Sequence, residues 1–228
     1  RSISRTHNRP VAVLLDLQGP KLRIGKLENH VPVELKAGRP FCITTKPCIG
    51  TADMVSSTYE NLDTDVKSGD AILLDDGLIR LRVESVKNHC VHCCVEYGGL
   101  LKENKGINLP GVAVSAPSLT EKDKGDIKFG IKNGVDYIAL SFVRSASDMK
   151  EVKQIIKRQG SKIPVIAKIE KPEALHNLES ILDVADAIMV ARGDLGVEMN
   201  PELVPTIQKQ IIQTTLNRNK PVITATQM

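Results

Sequence analysis

Several short apolar runs in this chain end in residue types that handle small anions. "IPVIAKIE" closes on Lys168 and Glu170, two residues apart and so on the same side of a strand. "DAIMVARGDLGVEM" breaks from an apolar run directly into Arg192, Gly193 and Asp194. "RPVAVLLDLQG" gives Asp16, then Gln18-Gly19-Pro20-Lys21-Leu22-Arg23. "GVDYIALSFV" leads to Ser141 and Arg144, better read as pocket walls, and "KPVITATQM" gives Thr224, Thr226 and Gln227. Glu170, Asp194, Lys168 and Thr226 together offer two carboxylates, an ammonium and a hydroxyl. Two carboxylates plus substrate oxygens suit Mg2+, which completes its shell with phosphate and water. A lysine beside them stabilises negative charge as it develops. The plainer reading makes Lys168 and Glu170 a salt bridge and Asp194 the cap of the following turn. Arg-Gly-Asp is also a receptor-docking triplet, which would make Asp194 an exposed handle. The residues alone lead to a metal-assisted reaction on a small anion, and no further.

Such residues converge only if the runs that carry them are parallel strands. The runs recur at intervals of about 25 to 35 residues. Between the later ones lie helix-like stretches: "SLTEKDKGDIKFGIKN", "ASDMKEVKQIIKRQG", "PEALHNLESILDVA" and "NPELVPTIQKQIIQTTLNRN". Ser118 with Glu121 resembles a capping box. Strand and helix in alternation predict a parallel sheet with right-handed crossovers. No Gly-rich loop follows the first strand, so a (β/α)8 barrel is favoured over a dinucleotide-binding sheet. Only five of its eight strands are expected here, which reads as a piece of a longer protein. Residues 30–112 differ in texture, rich in Val, Ile, Thr and Cys between turn signals such as "KSGD", "DDG" and "YGG". They predict a β module, with Asp75 to Gly77 as a type I′-like turn.

The 228 residues are 41% hydrophobic but only 3% aromatic, so the core must be aliphatic and an aromatic stacking platform for nucleic acid is disfavoured. The formal charge of +4 is scattered rather than massed, which suits small anions and argues against nucleic acid. Cys42, Cys48, Cys90, Cys93 and Cys94 form no spaced disulfide framework. "NHCVHCC" brings His89, Cys90, His92, Cys93 and Cys94 together and raises zinc. It alternates like a strand, though, and no second ligand pair follows, so free thiols are expected. No membrane span or signal peptide is visible, and a reducing, cytoplasmic setting is expected. That setting counts against the adhesive reading.

In their order and spacing, "IPVIAKIEKPEAL", "DAIMVARGDLGVEM" and "KPVITATQM" resemble the pyruvate kinase family. "LDLQGPKLRIG" and "GINLPG" bracket the β module where that family inserts a mobile lid. The resemblance implies a partial (β/α)8 TIM barrel with an inserted all-β lid domain. Residues 1–25 and 113–228 would be barrel, residues 26–112 lid, with the remaining barrel strands and a C-terminal domain absent. It further implies phosphoryl transfer from phosphoenolpyruvate to ADP, giving pyruvate and ATP. Glu170 and Asp194 would hold Mg2+, or Mn2+ in its place, with Asp194 a buried ligand. Lys168 would neutralise the transferring phosphoryl group and the enolate. Gly193 would offer a backbone N–H to the substrate carboxylate, Thr226 would help deliver a proton, and Arg23 and Lys105 would contact ADP phosphates. A homotetramer is expected of the full-length protein, and no turnover and poor solubility of these 228 residues alone. Other readings are a Mg2+-dependent aldolase or lyase acting on a 2-oxo acid, which would not need the β module, and a non-catalytic binding fragment.

One departure bears on the cofactor. Many members require K+ and carry Thr-Lys-Gly-Pro-Glu after an aspartate, where this chain has Leu17-Gln18-Gly19-Pro20-Lys21 after Asp16. In the family that aspartate and the backbone of the next residue, here Leu17, are K+ ligands. Two positive charges 4 to 6 Å apart would repel by roughly 3 to 4 kcal/mol at an effective dielectric near 20. Lys21 is therefore expected to replace K+.

Overall fold

The computed structural model describes residues 2–225. The chain divides into two compact units: one takes the residues up to Pro20, Pro117–Leu195 and those from Glu202 on; the other takes Lys21–Ala116 and Gly196–Pro201.

The first unit is built on a five-stranded parallel sheet whose spatial order follows the chain: Leu14–Asp16, Tyr137–Leu140, Val165–Ile169, Ala187–Val190 and Val222–Thr224. All five expected strands are present. Their register sets Asp16 beside Ala139, Ala139 beside Ile166, and Ile166 beside Ala187. Because side chains alternate, Leu15, Ile138, Leu140, Val165, Ala167, Ile169, Ile188 and Val190 face the helices, where they join the main core cluster. The other face has a smaller apolar group of Ala139, Ile166 and Ala187, with Leu14 and Met189 packed against it. Asp16, Ser141, Lys168 and Glu170 continue that second face toward the carboxyl ends. The sheet thus fixes which side chains can meet.

The connections are helical as expected, with three differences. The helix Glu121–Lys132 is capped by Thr120 and Asp123, whose carboxylate accepts from Thr120 N at 2.9 Å. The expected Ser118–Glu121 capping box does not form, because the Ser118 hydroxyl donates to the Phe142 carbonyl instead, at 3.1 Å. "PEALHNLESILDVA" is two helices, Pro172–His176 and Leu178–Val184, broken at Asn177. A further helix, Arg192–Glu198, follows the fourth strand where only a strand end was foreseen. Ala146–Arg158 shows the expected periodicity, burying Met149, Val152 and Ile156.

The second unit contains a six-stranded sheet in the order Met54–Ser56, Pro40–Thr44, Cys90–Tyr97, Ile79–Lys87, Ala71–Leu74 and Ile107–Asn108. Val33–Leu35 and Gly99–Leu101 form a separate antiparallel pair. A two-residue turn of Asn88 and His89, both at positive φ, joins its two longest strands, as a type I′ hairpin requires. Asp75, Asp76 and Gly77 also have positive φ, in keeping with the I′-like turn. Cys93 is buried between Val91 and Val95, and all five cysteines are free thiols. Among the described residues no group of three or more His, Cys, Asp or Glu side chains could hold a metal ion. No described helix is long and apolar enough to cross a membrane.

Candidate active site

Within the first unit, one cluster unites residues from three neighbouring strand ends. Lys168 Nζ lies 3.2 Å from Asp16 Oδ1 and 3.0 Å from Glu170 Oε1. It also donates to Ser141 Oγ at 2.8 Å, and Ser141 Oγ in turn donates to the Leu17 carbonyl at 2.7 Å. Glu170 is 1% exposed, and its second oxygen, Oε2, accepts from the Phe142 backbone N–H at 2.8 Å. Lys168 and Glu170 do form the ion pair of the plainer reading, but as part of a network. Asp16, whose counterpart in the family is a K+ ligand, is a partner of Lys168, and Ser141 is more than a wall.

Burial and charge pull against each other in this cluster. For Lys168, burial works downward, but the carboxylates of Glu170 and Asp16 outweigh it and hold the ammonium above the usual lysine range. For Glu170, burial works upward and prevails over Lys168, and the negative charge of Asp194 pushes it further in the same direction. Asp194 itself is exposed, in the first turn of the Arg192–Glu198 helix. The expectation of a buried Asp194 is therefore corrected. The strand ends at Val190, and the helix turns this carboxylate toward solvent, where the helix dipole favours an anion. The negative charge of Asp194 bears on Glu170, and carboxylate oxygens are the donors that hard divalent cations take.

Gly193 lies in the same first turn. Arg192 donates from Nε to the Ala225 carbonyl at 2.7 Å, which ties the Arg-Gly-Asp triplet into the fold rather than onto a projecting loop. Thr226, expected at the end of the fifth strand, lies outside the described residues. Arg144 donates to Ser118 Oγ at 3.3 Å.

In the second unit Arg23 and Lys105 are brought together by the backbone. Arg23 bridges Gly106, and Ile24 N donates to the Lys105 carbonyl at 2.9 Å. Arg23 Nη1 donates to Asn104 O at 2.5 Å, and Lys105 Nζ pairs with Asp75 Oδ1 at 2.8 Å. The Asp75–Gly77 turn thus touches a residue expected to bind nucleotide. Lys21 is exposed, and its carbonyl accepts from Thr58 Oγ1 at 3.4 Å.

A parallel sheet with helical crossovers and charged groups gathered at the strands' carboxyl ends defines a barrel-type α/β enzyme domain. The family model "Pyruvate kinase, barrel domain" matches residues 1–228. Pyruvate kinase 2 of a Synechocystis species is 48% identical over 100% of this chain and 39% of its own length. A Mycobacterium tuberculosis pyruvate kinase is 49% identical over 100% of this chain and 48% of its own. The crystal structure of a pyruvate kinase from Cryptosporidium parvum superposes with a TM-score of 0.94 at 38% identity, over 100% of this chain and 48% of that one. The chain belongs to the pyruvate kinase family and spans two-fifths to a half of the length of these relatives.

Proposed function

We propose that this chain carries the phosphoryl-transfer site of a pyruvate kinase, moving a phosphoryl group from phosphoenolpyruvate to ADP to give pyruvate and ATP. The observation that carries the reading is the Lys168 cluster: a largely buried ammonium held by Asp16, Ser141 and Glu170. Glu170 and Asp194 would hold Mg2+, which when bound neutralises charge on the substrate's phosphate and carboxylate. Lys168, kept cationic by its neighbours, stabilises charge on the transferring group and on the enolate left behind. Positioning and electrostatics are what phosphoryl transfer demands of a protein. Gly193 offers its N–H to the substrate carboxylate, Thr226 assists protonation of the enolate carbon, and Arg23 and Lys105 take the ADP phosphates. The β unit is read as the inserted lid, and the whole protein as a cytoplasmic homotetramer.

Lys21 supplies the positive charge that K+ provides elsewhere in the family. The test is pyruvate formation by the full-length protein with phosphoenolpyruvate, ADP and Mg2+ in K+-free buffer, before and after K+ is added. Full turnover without K+ is expected. Turnover that waits for K+ would remove the Lys21 reading, and no pyruvate under either condition would remove the reaction itself. A Lys21→Glu variant is expected to acquire a K+ requirement.

A further inference from the structure

Phe142 has a φ of +54°, which is uncommon for any residue with a side chain and an outlier for a bulky one. Such strain persists only where the surroundings over-determine it. Here both sides of the residue are held. Its N–H donates to Glu170 Oε2 at 2.8 Å, and its carbonyl accepts from Ser118 Oγ at 3.1 Å. The ring is confined as well. A Cβ added at Gly19 would come within 2.8 Å of Phe142 Cδ2, and Gly19 itself has a φ of +63°. Gly19 N in turn donates to Asp123 Oδ1, the buried cap of the following helix, at 3.3 Å. A chain of contacts therefore runs from the Asp123 cap through Gly19 and the Phe142 ring to the Phe142 N–H and the Glu170 carboxylate.

We infer that Phe142 is a positioning residue for the metal-binding carboxylate, with its left-handed backbone aiming Glu170 and the bare face of Gly19 making room for its ring. The inference rests on the proposed role of Glu170. With Oε1 on Lys168 and Oε2 on the Phe142 N–H, the carboxylate has one orientation, and its remaining lone pairs face a fixed direction. Groups that orient a ligand in this way typically change metal affinity by about 10- to 100-fold when they are lost. The Phe142 ring is not required for this; its backbone is. A methyl group at Gly19 is strained by its φ of +63° in either background, so the part of its harm that passes through the ring is the difference between the variants with and without Phe142.

The test measures Mn2+ dissociation constants by electron paramagnetic resonance on the purified full-length protein, well below its unfolding temperature. Four variants are compared with the parent: Gly19→Ala, Phe142→Ala, Gly19→Ala combined with Phe142→Ala, and Glu170→Gln. Gly19→Ala is expected to weaken Mn2+ binding by about 10- to 100-fold. Phe142→Ala is expected to stay close to the parent, and the double variant to bind Mn2+ more tightly than Gly19→Ala alone, the strain at Gly19 remaining in both. Parent-like affinity in Gly19→Ala, or equal weakening in the single and double variants, overturns the inference. Glu170→Gln separates the two levels. If it loses Mn2+ while Gly19→Ala keeps it, only the positioning role fails. If it binds as the parent does, the metal role of Glu170 fails with it. Should Gly19→Ala not fold, Ser118→Ala carries the test, with about tenfold weaker binding expected and unchanged binding overturning the inference.

Discussion

In the Tyr137–Leu140 strand Ile138, Ala139 and Leu140 are buried in succession, whereas in Ile79–Lys87 buried and exposed residues alternate. The first strand is covered on both faces, as parallel strands are; the second has one face in water. The difference governs what a charge can do in each unit. A charged residue in a doubly covered strand must be fully partnered, so Lys168 and Glu170 sit in a network with little freedom to rearrange. On a half-solvated sheet a charge needs no partner. Arg80 and Arg82 both approach Glu96, at 2.8 and 3.4 Å, with side chains about half exposed. Such pairs contribute little to stability. One unit holds its charges in a tight, largely buried network; the other leaves its charges half in water.

The most direct way to break this contrast is Lys168→Met. It leaves Glu170 buried without its cation, and removing one partner of a buried pair costs about 3 to 5 kcal/mol. Turnover is expected to fall by at least about 100-fold, as for loss of a group that stabilises charge in the transition state. Chemical denaturation and kcat check the two effects. A variant as stable as its parent, with kcat within tenfold, would mean that the cluster is not a preorganised site.

The β unit should be sensitive in its backbone rather than in its charges. A Cβ at Gly98 would stand 2.1 Å from the Leu35 carbonyl oxygen and 3.0 Å from its carbon, and a backbone contact cannot swing aside. Gly98→Ala is expected to cost about 2 to 3 kcal/mol, in the range of overpacking. A smaller effect follows at Tyr59. Its hydroxyl meets Asp65, lies 2.9 Å from Ser115 Oγ and accepts from Ala116 N at 3.1 Å. Tyr59→Phe should destabilise by about 1 to 2 kcal/mol. Denaturation midpoints for the two variants in the reverse order would show that side-chain hydrogen bonds, not close backbone approach, hold this unit.

The contrast between the units also explains what could be read from the sequence. Continuous apolar runs announce the five parallel strands, and alternation places Lys168 and Glu170 on one face. The Arg192–Glu198 helix was hidden because RGDLGVE is short, holds two glycines and has no helical period. The expectation of a buried Asp194 came from the family resemblance, which carries a ligand role but not the exposure of the side chain. Ser118-x-x-Glu121 and Thr120-x-x-Asp123 are overlapping caps of similar local quality. The choice fell to a tertiary contact, the Ser118 hydroxyl on the Phe142 carbonyl. The left-handed Phe142 left no local sign at all, since its conformation is imposed by Glu170 and Ser118, both distant in the chain. Periodicity and residue type reveal which face a side chain occupies; conformations pinned by distant partners escape them.

The smallest effect on stability sharpens the comparison most. Lys105 is a third exposed and pairs with Asp75 at 2.8 Å, so its ion pair should contribute no more than about 0.5 kcal/mol. Lys105→Met is therefore expected to leave the unfolding midpoint almost unchanged. If Lys105 meets the phosphates of ADP, the same variant should raise the KM for ADP severalfold while the Mn2+ dissociation constant stays at the parent value, since Glu170 and Asp194 are untouched. Steady-state kinetics at varied ADP, run beside the Mn2+ titration, would check both. A change in Mn2+ affinity without a change in the KM for ADP would assign Lys105 to the metal site and erase the division of labour drawn between the two units.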